Sequence, residues 1–265
     1  MKLTFLGTGG AFTDFRINYH NNALVHTSVG LVMIDCGATA VQSCREMGLE
    51  PWDLRALLIT HLHGDHIGGI EQMGWERYFT GPNYEPGKLS TCLAGAADVL
   101  APLEDYLAAT MDSYVDLDEG PVTRRPYEKL FTIEQSSQGG TEWCFGDVRM
   151  RLEPTEHVLG ADGGKPAYGV WLETENNRAY YSSDTRFDEE KLLGERMKAS
   201  VIFHDCAFYP YSPSSPHTHY EQLLSLPAAA RAKIVLMHHT SVPPELDPLA
   251  DGFKGVATRH SVWEF

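Results

Sequence analysis

The segment His61-Leu62-His63-Gly64-Asp65-His66 limits what this chain can fold into more than any other part of its sequence. Three imidazoles and a carboxylate fall within six residues, directly after the apolar run 56–59, which reads as a buried strand. A fold that accepts this order must end a core strand at a group of polar side chains and then turn. His61 and His63, two residues apart, point to one side if the chain leaves the strand extended. Asp65 and His66 then turn toward a second, adjacent position. Gly64 permits the bend, and Gly68-Gly69 lets the following segment approach closely. Imidazoles and carboxylates at this density suit divalent cations, Zn²⁺ first, with Mn²⁺ or iron as alternatives. A loop of ordinary polar histidines is the competing reading, and it would be preferred for a lone histidine rather than for this group.

The rest of the pattern predicts strands at 2–6, 23–26, 31–35, 89–94, 148–153, 170–173, 179–182, Val201–Asp205 and Ile234–Met237. Helices are expected over 38–47, with Gly48 as C-cap, after His66, and over 96–111, 189–198 and 220–232. Strands with interspersed helices indicate a mixed α/β architecture. With 265 residues, 43% hydrophobic, and no internal repeat or linker-like stretch, one domain spanning 1–265 is expected. Within it, 81–141 stands apart, with acidic residues at Asp112, Asp116, Asp118 and Glu119. It reads as a lid or a dimer contact.

The formal net charge of −15, with Arg124-Arg125 the one adjacent basic pair, disfavours a long polyanion as partner. A small anionic substrate escapes that objection, because bound cations reverse the local field. Five separated cysteines without a Cys-x-x-Cys pair fit reduced thiols. The opening residues are too short an apolar run for a signal peptide, and no window reaches the ~20 apolar residues of a membrane span. A cytoplasmic protein that does not enter membranes is expected.

The run Thr60-His61-Leu62-His63-Gly64-Asp65-His66-Ile67-Gly68-Gly69 resembles the signature of the metallo-β-lactamase superfamily, and the resemblance extends over nearly the whole chain. It implies a four-layer αββα sandwich with two mixed sheets, a hydrolase activity and two metal ions. It further implies that His157 completes the first metal's ligands beside His61 and His63. Asp184, in Tyr181-Ser182-Ser183-Asp184-Thr185, would bridge both metals. His238, or His239 in its place, would join Asp65 and His66 on the second; His238 is preferred because it directly follows the strand.

Within the superfamily, Leu6-Gly7-Thr8-Gly9-Gly10 with Arg16 and Asn21-Asn22-Ala23-Leu24 is similar to the ribonuclease Z branch. So are 201–208 and His217-Thr218-His219-Tyr220. The resemblance implies catalytic roles for Asp65, for His217 as proton donor to the leaving oxygen, and for His204 as a group that orients His217 or meets the phosphate. Tyr168 and Arg186 are possible substrate contacts. The Gly- and Lys-rich arm of transfer-RNA processing enzymes has no counterpart here. The run 217–223 with Leu226-Pro227 and Lys233 looks more like the small phosphodiesterases of this branch, the anti-Pycsar enzymes that hydrolyse cyclic nucleotides as dimers. The expectation is therefore a homodimeric phosphodiesterase acting on a small phosphodiester, plausibly a cyclic nucleotide. An RNA endonuclease, or a lactone, thioester or β-lactam hydrolase, is the alternative.

Overall fold

A computed structural model describes residues 1–80, 90–111, 130–134, 136, 140–160 and 164–265. The first sheet starts as an antiparallel meander of β1 (Lys2–Phe5), β2 (Ala23–Thr27) and β3 (Gly30–Ile34). From β3 onward it turns parallel through β4 (Leu54–Ile59), β5 (Thr91–Gly95) and β6 (Phe131–Ile133). The second sheet repeats this plan. Strands β7 (Glu142–Phe145), β8 (Val148–Pro154), β9 (Tyr168–Glu173) and β10 (Arg178–Tyr181) are antiparallel. Strands β11 (Val201–Asp205), β12 (Ile234–Met237) and β13 (Gly255–Val256) then follow β10 in parallel. The last strand, β14 (Val262–Glu264), crosses back to pair antiparallel with β1. Among the described residues, both sheets are thus mixed and seven-stranded.

Alternation along the second sheet shows how the layers stack. Tyr181, Phe203, Val235 and Met237 face the first sheet and join its core with Leu3, Phe5 and Leu24. Their neighbours Tyr180, Ile202 and Leu236 face outward into a second cluster with Leu192, Leu223 and Phe253. A sheet buried on both faces needs apolar side chains at consecutive positions, and β12, Ile-Val-Leu-Met, is fully buried throughout. The first sheet carries α1 (Ala40–Glu46), α3 (Ile70–Thr80) and α4 (Ala97–Met111), whose Cys44, Met73 and Leu103 are buried in the same large core. The expected αββα sandwich is the architecture found.

The helices differ from the sequence expectation where glycine or proline interrupts them. The segment after His66 is two helices, α2 (Gly64–Ile67) and α3, divided at Gly68-Gly69. The apolar spacing still holds, since Ile67, Ile70, Met73 and Tyr78 are buried. The predicted helix over 189–198 splits at Gly194 into α5 (Glu189–Leu193), capped by Asp188, and a 3₁₀ turn. That over 220–232 becomes α6 (Tyr220–Leu224) and α7 (Ala228–Arg231), parted at Pro227. Gly48 does close α1: at φ +74° it donates to the Arg45 carbonyl while Leu49 donates to that of Cys44, the paired bonds of a Schellman end.

Of the segment 81–141, the described parts β5, α4 and β6 belong to the first sheet and its cover. Asp112, Asp116, Asp118, Glu119 and Arg124-Arg125 lie outside the described residues. Among the described residues, no helix is long and apolar enough to cross a membrane.

The parallel halves of both sheets discharge their C-terminal ends at one rim, the usual place for a site in open α/β sheets. The chain is drawn tightly together there. Cys36 accepts from Gly69 and donates to the His66 carbonyl, at 2.8 and 2.6 Å. A Cβ on Gly69 would press into the carbonyl of Gly37 inside van der Waals contact. Replacing Gly69 with alanine should therefore lower unfolding stability by about 1–3 kcal/mol, the usual cost of overpacking. Urea denaturation checks this; an unchanged midpoint would show that the backbone gives way freely at this point.

Candidate metal centre

Strand β4 ends at Thr60, and the next six residues supply four of the polar groups at the rim. His61 and His63 leave the strand extended, and His63 is the N-cap of α2, with ψ 153°. The helix then turns Asp65 and His66 to the neighbouring side. Loops from the second sheet complete the assembly: His157 after β8, Asp184 after β10 and His238 after β12. The structure brings together all seven residues expected to hold metal. They form two groups, His61, His63, His157 and Asp184 beside Asp65, His66, Asp184 and His238, the ligand atoms of each within 4.8 Å of one another.

Asp184 faces both ways. Its Oδ2 lies 3.8 Å from His61 Nε2 and 3.6 Å from His157 Nε2, and its Oδ1 lies 3.2 Å from both His66 Nε2 and His238 Nε2. His63 turns Nδ1 inward, 3.1 Å from His61 Nε2 and 3.0 Å from His157 Nε2. On the other side, Asp65 Oδ2 is 3.4 Å from both His66 and His238 Nε2. A tetrahedral cation with ligands at ~2.0–2.1 Å sets ligand-to-ligand separations near ~3.3 Å. The observed spacings fall around that value.

Two further observations fit a cation at each group. Asp65 Oδ1, His66 Nε2 and Asp184 Oδ1 are buried without a hydrogen-bond partner, which a protein interior rarely tolerates. Charge points the same way. Burial opposes a proton on His66 and His238, yet the carboxylates of Asp184 with Asp35 and Asp65, or with Asp205, outweigh it and raise both imidazoles well above their ordinary value. Burial likewise works against ionised Asp184, but His238, His66 and His61 hold it well below the usual carboxylate range. The centre of the site favours positive charge. His61, by contrast, is lowered by burial and by the neighbouring His66.

The outward nitrogens are anchored, which fixes each ring. His66 Nδ1 lies 2.7 Å from Asp35 Oδ2; that carboxylate also accepts from Thr60 N and Oγ1 at 2.8 Å. His61 Nδ1 meets Thr60 Oγ1 at 3.1 Å, and His157 Nδ1 meets the Pro216 carbonyl at 2.9 Å. Asp205 serves two rings, His217 Nδ1 at 2.8 Å and His238 Nδ1 at 3.4 Å. Asp35, Ser183 and His238 adopt left-handed φ of 59°, 51° and 61° at or beside these contacts. Such backbone costs of order 1–3 kcal/mol per residue and clusters at functional sites.

The catalytic candidates separate. His217, partly exposed, stacks on His238 with centroids 4.8 Å apart and keeps Nε2 clear of Asp205. His204 does not orient it. His204 follows the alternation of β11 to the opposite face from Asp205; its Nδ1 donates to the Asp205 carbonyl, and burial lowers its imidazole to about 4. The orienting group is Asp205, which the sequence showed as the acid of the same strand but did not single out. His239 also stays out of both groups and packs edge-on against Phe208. Tyr168 spends its hydroxyl on Asp98 at 2.9 Å, and Arg186 clamps the carbonyls of Ser215 and Pro213. Both side chains are thus held by contacts within the chain. Asp35 and Asn22 were missed as well; Asn22 accepts from Gly37 N and donates to the Asp65 carbonyl. The pair Asn21-Asn22, buried after a turn, was the available signal.

Comparison with known proteins then places the chain. The family profile described as Anti-Pycsar protein Apyc1 matches residues 1–263. The chain belongs to that family. It is 32% identical over 245 residues to the Anti-Pycsar protein Apyc1 of Paenibacillus harenae, covering 90% of each, and 31% identical over 244 residues to that of Bacillus phage 010DV004, covering 90% and 89%. Solved structures share the fold at lower identity. The metallo-β-lactamase fold protein YhfI from Bacillus subtilis has TM-score 0.72, 15% identity and 99% coverage of each chain. The short form of human tRNase Z has TM-score 0.67 and 16% identity, covering 100% and 99%. The metallo-β-lactamase fold expected from the sequence is thereby shown.

Because Asp35 bonds His66 and lies outside both groups of candidate ligands, Asp35→Asn should leave the fold intact and weaken divalent-metal affinity by about 10–100-fold, as outer partners of ligands do. Competition for Zn²⁺ with a chromophoric chelator measures it; unchanged affinity would show that Asp35 does not set the ring of His66.

Proposed function

We propose that the chain is a hydrolase of small phosphodiesters, cyclic nucleotides in particular, working with two divalent cations, Zn²⁺ or Mn²⁺, and as a homodimer. The observation that carries the reading is Asp184, a buried carboxylate shared by two histidine-rich groups, in a member of the Apyc1 family. His61, His63, His157 and Asp184 would hold one cation, and Asp65, His66, His238 and Asp184 the other. When bound, such cations polarise phosphoryl oxygens and lower the pKa of water.

The chain's own residues supply the remaining steps. Asp65, which would also hold the second cation, would take the proton of the attacking water. As water adds to phosphorus, the P–O bond to the ring oxygen breaks, and that oxygen needs a proton. His217 supplies it from Nε2, since Nδ1–H is committed to Asp205. Burial works against protonated His217, but Asp205 prevails and raises it above the ordinary imidazole value. A small anionic substrate also agrees with the net charge of −15, which disfavours long nucleic acids.

The test is turnover by Zn²⁺- or Mn²⁺-loaded protein of bis-p-nitrophenyl phosphate, 3′,5′-cyclic mononucleotides and a precursor transfer RNA, beside Asp65→Ala. Cyclic-nucleotide turnover lost in the variant, with RNA intact, is the expected result. RNA cleavage would instead favour the endonuclease, and no phosphodiester turnover would move the reading to ester or lactam bonds. The pH profile gives a separate check. An acid whose pKa is raised in the folded protein stays protonated below that pKa, so activity should fall as pH rises through it. Asp205→Asn removes the raising partner and should shift that fall to lower pH; an unshifted basic limb would exclude His217 as the donor.

A further inference from the structure

Thr8 to Tyr19 form a loop between β1 and β2 that stands against the second group of ligands. Its main chain is held at several points. Gly9 donates to the Tyr19 carbonyl, and Asn21 to that of Gly9. Asn18 Nδ2 donates to Thr8 Oγ1 and to the carbonyls of His239 and Thr240, and Thr13 Oγ1 meets Thr240 Oγ1 at 2.8 Å. Gly10 lies against the ligand ring itself: a Cβ there would sit 3.0 Å from His238 Cε1. From that contact the chain makes one tight turn, closed by Thr13 N to the Gly10 carbonyl at 3.0 Å, with Ala11 and Phe12 at its tip.

Phe12 is wholly exposed, at 103% of its reference area, although the turn beneath it is pinned on both sides. Among the described residues no ring or cation is paired with it. Phe15, on the same loop, rests its edge on buried His20, with centroids 4.8 Å apart. A flexible loop can expose a phenylalanine by chance. A rigid turn that is built on a ligand histidine and presents one bare ring instead offers a fixed apolar face beside the place where the phosphate would lie. Two residues of chain from Gly10 reach about 7 Å at most, which is the scale from a phosphate to the base of a nucleotide. Stacking of a base on an aromatic ring is sequence-tolerant, since every base has a π face.

We propose that Phe12 is a specificity-determining residue whose ring stacks with the heterocyclic base of a nucleotide phosphodiester. The inference rests on the cyclic-nucleotide reading above. It assigns the substrate an aromatic base and accounts for the full exposure of Phe12, the one fully exposed phenylalanine among the described residues.

The test compares the unsubstituted protein with Phe12→Ala and Phe12→Trp on 3′,5′-cyclic nucleotides and on trimethylene phosphate, a six-membered cyclic phosphodiester without a base. Phe12→Ala should raise KM for the cyclic nucleotides about tenfold, the change falling on KM rather than kcat, while trimethylene phosphate is hydrolysed as before. Phe12→Trp should restore the nucleotide KM. Equal effects on both substrates, or no change in the nucleotide KM, would overturn the assignment. So would a shift from dimer to monomer in Phe12→Ala on size-exclusion chromatography, which would give the ring to a second copy of the chain. If the unsubstituted protein cleaves no cyclic nucleotide, that reading fails separately, and Phe12→Trp still decides the stacking. Added adenosine 5′-monophosphate should quench its fluorescence beyond any quenching in the unsubstituted protein, whereas inorganic phosphate should not; equal quenching by both would count against a base at this position.

Discussion

Asp184 presents its two oxygens to two different sets of imidazoles from a position only 2% exposed. A carboxylate so placed is stable only when opposite charge surrounds it, because an isolated buried charge costs several kcal/mol. His61 and His157 lie on one side of it and His66 and His238 on the other, and three separate segments must converge on the Asp184 loop to put them there. That requirement explains the shape of the rest. Each sheet turns from antiparallel to parallel partway across, so the carboxyl ends of β4, β10, β11 and β12 open on the same rim. The ring-orienting contacts from Thr60, Asp35, Asp205 and the Pro216 carbonyl follow from the same demand, since a misdirected imidazole would leave the carboxylate unpaired.

Asp205 joins this centre to the chemistry. One of its oxygens meets His217 and the other His238, so one acid orients both the proposed proton donor and a proposed ligand ring. Asp205, His217 and His238 lie close enough to suggest a third cation group. The short bond between Asp205 and His217, and the commitment of His238 Nε2 to Asp184 and Asp65, mark the trio as an anchor instead. Its strained partner is His238 itself, whose left-handed backbone is what turns the ring back over the site from the end of a fully buried strand.

The sheets and the cluster His61, His63, Asp65 and His66 were legible in the sequence because each signal was local and dense, whereas His157, Asp184 and His238, lone polar residues in separate loops, were reached only through the family resemblance. Short apolar runs or apolar–polar alternation marked the longer strands, and every ligand loop began where such a strand stopped. What escaped notice was what depends on pairing across the fold. The short edge strands β6, β13 and β14 contribute two or three residues each, too few for periodicity to show. Helices split at Gly194 and Pro227 because local breakers outweighed apolar spacing. His204 was preferred to Asp205 since sequence order alone does not say which of two adjacent strand residues faces the rim; alternation decides that only once the sheet's two faces are known. Asp35 reads in sequence as the polar end of an apolar strand, and only the fold shows it beneath His66.

Anomalous diffraction from crystals of the zinc-loaded protein at the zinc edge tests the centre most directly. The account predicts two peaks, one in contact with His61, His63 and His157 and one with Asp65, His66 and His238, with Asp184 touching both. A single peak, or one held by Asp205, His217 and His238 instead, would contradict it.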